Sequence, residues 1–230
     1  MTLRVPAFVV VSGGPIGAGY VRQLLGAVTA GRLETSRIHV VDRDPACAAA
    51  RTADGRVQLE VADWVEWLDA HLDSLPRESH LVPYHWAPHV LVSWLERQLS
   101  RAGAAVQRGG ELPPRDLPFE APTSSGDRAL SYASWVCPAS CIEPRLCPHT
   151  CEPKDWSLAH DLELPPPGFD GSVVFRCLHL VWGVGTIPLD EIRAARDRVV
   201  AAVGPEPRRY LVATSSHCHA LATVLSVAAA

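Results

Sequence analysis

Lysine is almost missing from this chain: Lys154 is the single one among 21 basic side chains, so chemistry that needs a lysine base or Schiff base has one candidate. Also missing is any basic run able to neutralise a row of phosphates. The formal charge of −4 arises from intermixed acids and arginines, which argues against a nucleic-acid partner. No apolar stretch is long enough for a membrane span or a signal h-region: residues 7–11 are cut by Ser12-Gly13-Gly14, and the apolar C-terminal residues are short and interrupted by His217 and His219. These absences predict a soluble, cytoplasmic protein that does not engage a membrane. No internal repeat is evident. What remains is 230 residues with 47% hydrophobic content, enough for one substantial domain or two small ones.

Strand patterns occur at AFVVV (7–11), IHVVD (38–42), VQLEV (57–61) and HLVPY (80–84), with helical spacing in YVRQLLGAVTAG, DWVEWLDAHL and HVLVSWLERQLSRAG. This alternation predicts an α/β fold: a doubly wound, mostly parallel, Rossmann-like sheet over residues 1–109. Between Pro113 and Pro167 lie eleven of the twenty prolines, so 110–170 reads as an inserted proline- and cysteine-rich loop module. The remainder, 171–230, reads as a strand, a helix over 189–204, and a strand running into a terminal helix, an α/β segment that could complete the sheet.

In VVVSGGPIGAG the residues Ser12, Gly13, Gly14 and Gly17 follow the spacing G-x-G-x-x-G, with serine in the first place. In that pattern a tight turn brings a helix N-terminus to a pyrophosphate; Gly14 permits close backbone approach and Gly17 close packing of helix on strand. Asp42 ends the second strand, thirty residues after Ser12, and Arg43 follows it. On these residues the first hundred or so positions resemble the NAD(P)-binding Rossmann superfamily. The resemblance implies NAD or NADP as cofactor, with Asp42 on the ribose hydroxyls or Arg43 near a 2′-phosphate, and FAD as a lesser alternative. The tyrosine and lysine four apart of short-chain dehydrogenases are absent. Val10 and Val11 stand where methyltransferases usually keep an acid.

Cys137, Cys141, Cys147 and Cys151 fall within fifteen residues as C-x3-C-x5-C-x3-C, and two of them precede proline. Without an export signal, such thiols point to metal or redox chemistry before disulfides. The gaps are wider than the two-residue spacing of most zinc knuckles, and the Cys-Pro pairs resemble those of cluster-binding loops. The expected cofactor is an iron–sulfur cluster on these four thiolates, with zinc as the alternative. Trp135 and Trp156 would shield it, and His149 is a possible substitute ligand. Cys47 and Cys177 read as core thiols.

Two further stretches carry histidines. ATSSHCHAL places His217, Cys218 and His219 after a strand, as candidates for proton transfer, ligation or a nucleophilic thiol. In PYHWAPHV, Tyr84 or His85 is expected to face a nucleotide cleft, and His89 to be surface. Together these features predict an NAD(P)-linked oxidoreductase or electron-transfer protein. The alternative is a non-catalytic nucleotide-sensing or scaffold subunit, with structural zinc or redox-sensing cysteines, acting on a redox or regulatory protein partner.

Overall fold

The computed structural model describes residues 2–84, 87–138 and 141–230. The elements, in chain order, are β1 (Leu3–Arg4), β2 (Ala7–Val11), α1 (Pro15–Thr29), β3 (Leu33–Glu34), β4 (Arg37–Asp42), a 3-10 turn (Ala48–Arg51), β5 (Val57–Val61), α2 (Trp64–His71) and β6 (His80–Val82). They continue with α3 (Val90–Arg101), β7 (Ala104–Arg108), β8 (Phe119–Pro122), β9 (Arg128–Ser131), α4 (Leu158–Glu163), β10 (Gly171–Arg176), β11 (Leu178–Val181), β12 (Val184–Pro188), α5 (Leu189–Ala201), β13 (Arg208–Ser215) and β14 (His219–Ala229). The chain forms two units: Met1–Tyr84 with His179–Arg193, and His85–Leu178 with Ala194–Ala230. The boundary expected at 109 thus falls inside the second unit.

The first unit is built on a six-stranded sheet in the order β11-β12-β6-β2-β4-β5. β2 pairs in parallel with both β4 and β6, β4 pairs in parallel with β5, and β12 runs antiparallel to β6. Every residue of β2 is buried, which is why it reads as an unbroken apolar run rather than an alternation. Phe8 and Val10 of β2 join Val21, Leu24 and Ala27 of α1 in the core. Pro15 opens α1 with its φ already set for a helix, and Asp63 caps α2 by accepting from the N–H groups of Val65 and Glu66.

The second unit holds a sheet in the order β10-β13-β14-β9-β8, with β7 also on β14. Here β10 and β13 are parallel, and the other pairs, β13–β14, β14–β7, β14–β9 and β8–β9, are antiparallel. Leu158 and Leu162 of α4 pack on Leu130, Leu211, Ala213, Ala222 and Val224.

This architecture corrects the expected doubly wound, mostly parallel sheet. Instead of one sheet completed by the C-terminal segment there are, among the described residues, two six-stranded sheets, one mixed with four parallel strands and one largely antiparallel, besides the small parallel pair β1–β3. The expected terminal helix is the strand β14. Ala222, Thr223, Val224 and Leu225 are buried in succession, so both faces of its middle are covered and the alternation that marks a half-buried strand is lost. Among the described residues, no helix is long and apolar enough to cross a membrane.

Candidate functional sites

In the first unit the chain passes from β2 outward to β4 and β5, then returns to the other flank of β2 as β6. The C-terminal end of β2 is therefore a topological switch point, the position where open parallel sheets leave a crevice for ligands. The glycine turn sits there. Ser12 takes a left-handed φ of 78°, a conformation that glycine adopts freely and that costs serine roughly 1 kcal/mol. A Cβ on Gly17 would stand 1.9 Å from the Ser12 carbonyl oxygen, and one on Gly13 would stand 2.4 Å from Cys47 Sγ. Gly17 and Gly13 are thus fixed by packing. A Cβ on Gly14 would meet only Ser12 Oγ, at 3.4 Å, so the space before α1 is open.

α1 has no side-chain cap and no acid in its first turn, so the positive end of its dipole is available to an anion. Asp42, at the end of β4, accepts from Gly13 N–H at 2.6 Å and from Asp44 N–H at 2.9 Å, with Ser12 Oγ at 3.4 Å. The acid expected to meet a ribose therefore also ties down the turn. Arg43 is ion-paired with Asp63. Cys47 is buried beneath the turn, as expected of a core thiol.

The cysteine loop of the second unit contains a small hairpin: Lys154 N–H bonds Arg145 O at 2.9 Å, Cys147 N–H bonds Glu152 O at 2.9 Å, and Leu146 bridges Pro153. Cys147 opens its tip. The backbone N–H of Thr150, that of His149 and the Thr150 hydroxyl converge on the Cys147 sulfur and hold its pKa below the ordinary thiol value, aided by Lys154. Glu143 N–H reaches Cys141 Sγ at 3.4 Å. Burial pushes the Cys137 thiol up, and the sulfurs of Cys141 and Cys147 lie close enough to push it further. Cys137 thus lies within electrostatic reach of the other two. Cys151 is exposed, in a left-handed conformation with φ 59°, and His149 stacks on Trp135 at 4.6 Å. Among the described residues, no three His, Cys, Asp or Glu side chains form a ready metal shell.

His217 and Cys218 fall in the tight turn from β13 to β14, and His219 opens β14, rather than preceding a helix. Sequence reasoning missed the residue that holds this turn, Glu143, which has no local signature beyond preceding a proline. Its carboxylate accepts from Ser216 Oγ at 2.6 Å, His217 N at 2.8 Å and Cys218 N at 3.1 Å. Burial, reinforced by Glu143, pushes the Cys218 thiol up to about 11, which disfavours the free thiolate that a nucleophile needs. Burial lowers the pKa of both His217 and His219, and His219 Nδ1 lies 3.0 Å from Ser131 Oγ. Cys177 is half-buried, and desolvation of its thiol, reinforced by Glu143, pushes it up to about 12.

Of the other histidine stretch, His85 lies outside the described residues. His89 is not surface: it is fully buried, with Nε2 2.8 Å from Thr214 Oγ1.

Residues 91–228 match the model of the AF_1314_C family, described as an uncharacterized protein, C-terminal domain, and the chain belongs to that family. No curated protein and no solved structure matches the chain.

Proposed function

We propose that this protein is a nucleotide-linked redox protein, in which the first unit binds NAD or NADP over the glycine turn and the second holds a thiolate-ligated metal centre. The observation that carries the nucleotide half is the conjunction at the end of β2. An open glycine turn, an uncapped helix start and a strand-end acid meet at the switch point of four parallel strands. The pyrophosphate would lie against Gly14 and the start of α1. Asp42 keeps lone pairs for ribose hydroxyls. Arg43, held by Asp63, is less free to seek a 2′-phosphate, which favours NAD.

The metal half is supported by the backbone N–H groups aimed at Cys147 and Cys141. Donors of this kind stabilise a sulfur that is a thiolate, as metal-bound cysteine is. An iron–sulfur cluster is the first assignment, since the half-buried indoles of Trp135 and Trp156, with their N–H groups turned inward, give the low-polarity surroundings that tune a redox potential. Hydride chemistry would belong to the nicotinamide, with the chain supplying placement.

The test has two arms. Calorimetric titration with NAD and NADP should give saturable binding that Gly14→Ala abolishes; no binding by the wild-type chain would end the nucleotide assignment. Elemental analysis of protein purified without oxygen should find iron with matching acid-labile sulfide, lost in Cys137→Ser. Zinc without sulfide would replace the redox enzyme by a nucleotide-binding scaffold subunit with a structural metal.

A further inference from the structure

Cys137 lies within electrostatic reach of both Cys141 and Cys147, whereas Cys151, although its N–H bonds the Cys147 carbonyl at 2.8 Å, is exposed. Another cysteine occupies the inner side. Cys218 is 8% exposed, and its sulfur lies near enough to that of Cys137 for the two to repel as thiolates.

Both peptide groups flanking Cys218 are pinned. Its N–H is taken by Glu143 at 3.1 Å and its carbonyl by Tyr132 N–H at 3.0 Å, while Leu158 N–H holds the His217 carbonyl at 3.0 Å. Glu143 is a strut: two residues after Cys141, it donates to that sulfur through its backbone and grips the turn bearing Cys218 through its carboxylate. It holds this position with a φ of 50°, unusual for a residue with a side chain.

A second observation is independent of the thiols' spacing. The indole N–H groups of Trp135 and Trp156 are buried, and the acceptors they face are the sulfurs of Cys137 and Cys218. Trp135 lies against Cys137 and Trp156 against Cys218, each biasing its sulfur toward the thiolate. A thiol sulfur is a weak acceptor and a thiolate a strong one, so ligation of the two sulfurs would strengthen both contacts. Lys154, the chain's one lysine, lies beside Cys147 and Cys218 and offsets part of the charge that clustered thiolates bring.

We propose that the fourth ligand of the metal centre is Cys218, delivered by the β13–β14 turn, giving Cys137, Cys141, Cys147 and Cys218, with Cys151 outside the shell. This rests on the metal half of the proposed function. The thiols form no ready shell, so binding turns them inward about their single side-chain torsions, and the energy of ligation pins the cysteine loop to the central hairpin of its sheet.

The experiment uses the full chain, stripped by chelator without oxygen and titrated with Co(II), with thiolate-to-cobalt charge-transfer absorbance as the readout. Cys151→Ser should bind with unchanged absorbance, whereas Cys218→Ser should lose about a quarter of it, one thiolate of four, and bind more weakly. Cys151 is exposed, so its variant should fold and decides the matter if Cys218→Ser does not. A loss in Cys151→Ser, or full absorbance in a folded Cys218→Ser, overturns the assignment and leaves the metal centre standing. Absence of charge-transfer bands in the wild-type chain, or their survival in Cys137→Ser, removes the metal centre itself and this inference with it.

Discussion

Asp42, at the end of β4, accepts the backbone N–H of Gly13 across the end of β2 at 2.6 Å, so the same carboxylate that would read a ribose shapes the turn meant to cradle the phosphates. The two roles separate by substitution. Asp42→Asn keeps an oxygen for Gly13 and should lose less than about 1 kcal/mol of stability, whereas Asp42→Ala leaves that N–H unpaired and should lose about 1–2 kcal/mol. Both should weaken NAD binding, by about tenfold or more, because the ribose hydroxyls lose a charged acceptor. Chemical denaturation and calorimetric titration on the same samples check the split. Unchanged NAD affinity in both variants would exclude Asp42 as a ribose contact.

The glycines of the turn divide in the same way. Gly17→Ala drives a Cβ to 1.9 Å from a backbone oxygen, so either the helix or the turn must move; a loss of about 2–4 kcal/mol is expected. Gly14→Ala meets only a serine hydroxyl at 3.4 Å and has an extended backbone that alanine adopts, so the fold should change by less than about 1 kcal/mol. Loss of nucleotide binding with an unchanged melting curve in Gly14→Ala is the signature of a site occupied in front of that residue. Normal binding in this variant would place the nucleotide elsewhere.

The contrast between these units explains how much was legible in the sequence. Over residues 7–82 the elements are local and their junctions carry glycine or an acid, so strand, turn, helix and strand-end acid stand in the chain as they stand in the fold. The order of strands is not local. β12, from far along the chain, adds antiparallel to β6, while β13 and β14 form a separate sheet, and no periodicity encodes that choice. The candidate thiol site shows the same limit. Clustered cysteines announce themselves, but Cys218 and Glu143 reach the loop through tertiary contacts, and the hydrogen bonds that bring them there join residues more than seventy positions apart.

Glu143 offers a test of that tertiary link. Glu143→Ala strips acceptors from His217 N–H, Cys218 N–H and Ser216 Oγ at once and should cost about 2–3 kcal/mol, while Glu143→Gln keeps one oxygen and should cost about half as much. Thermal unfolding should order the proteins wild type, Gln, Ala. An alanine variant as stable as wild type would mean the turn holds without the strut.

His89 predicts how the protein responds to acid. It is fully buried with Nδ1 unpartnered, and burial, with Arg108 adding to the effect and Asp127 partly opposing it, depresses its pKa from 6.5 to about 3. A depressed histidine is neutral in the folded protein while the unfolded chain takes up a proton below pH 6.5. Its contribution is therefore fully present above that pH and is lost as pH falls toward 3, at up to about 1.4 kcal/mol per pH unit. Glu96 titrates nearby: burial raises its pKa although Arg108 opposes the shift, so in the upper part of this window its proton uptake on folding works against the histidine. His89→Gln removes the histidine alone and can keep a partner for Thr214 Oγ1, 2.8 Å from Nε2. Denaturation free energies between pH 7 and pH 4.5 should fall more steeply for wild type than for His89→Gln. Parallel curves would mean that His89 is protonated in the folded state, with water or a rearranged Asp127 supplying the partner that its Nδ1 lacks.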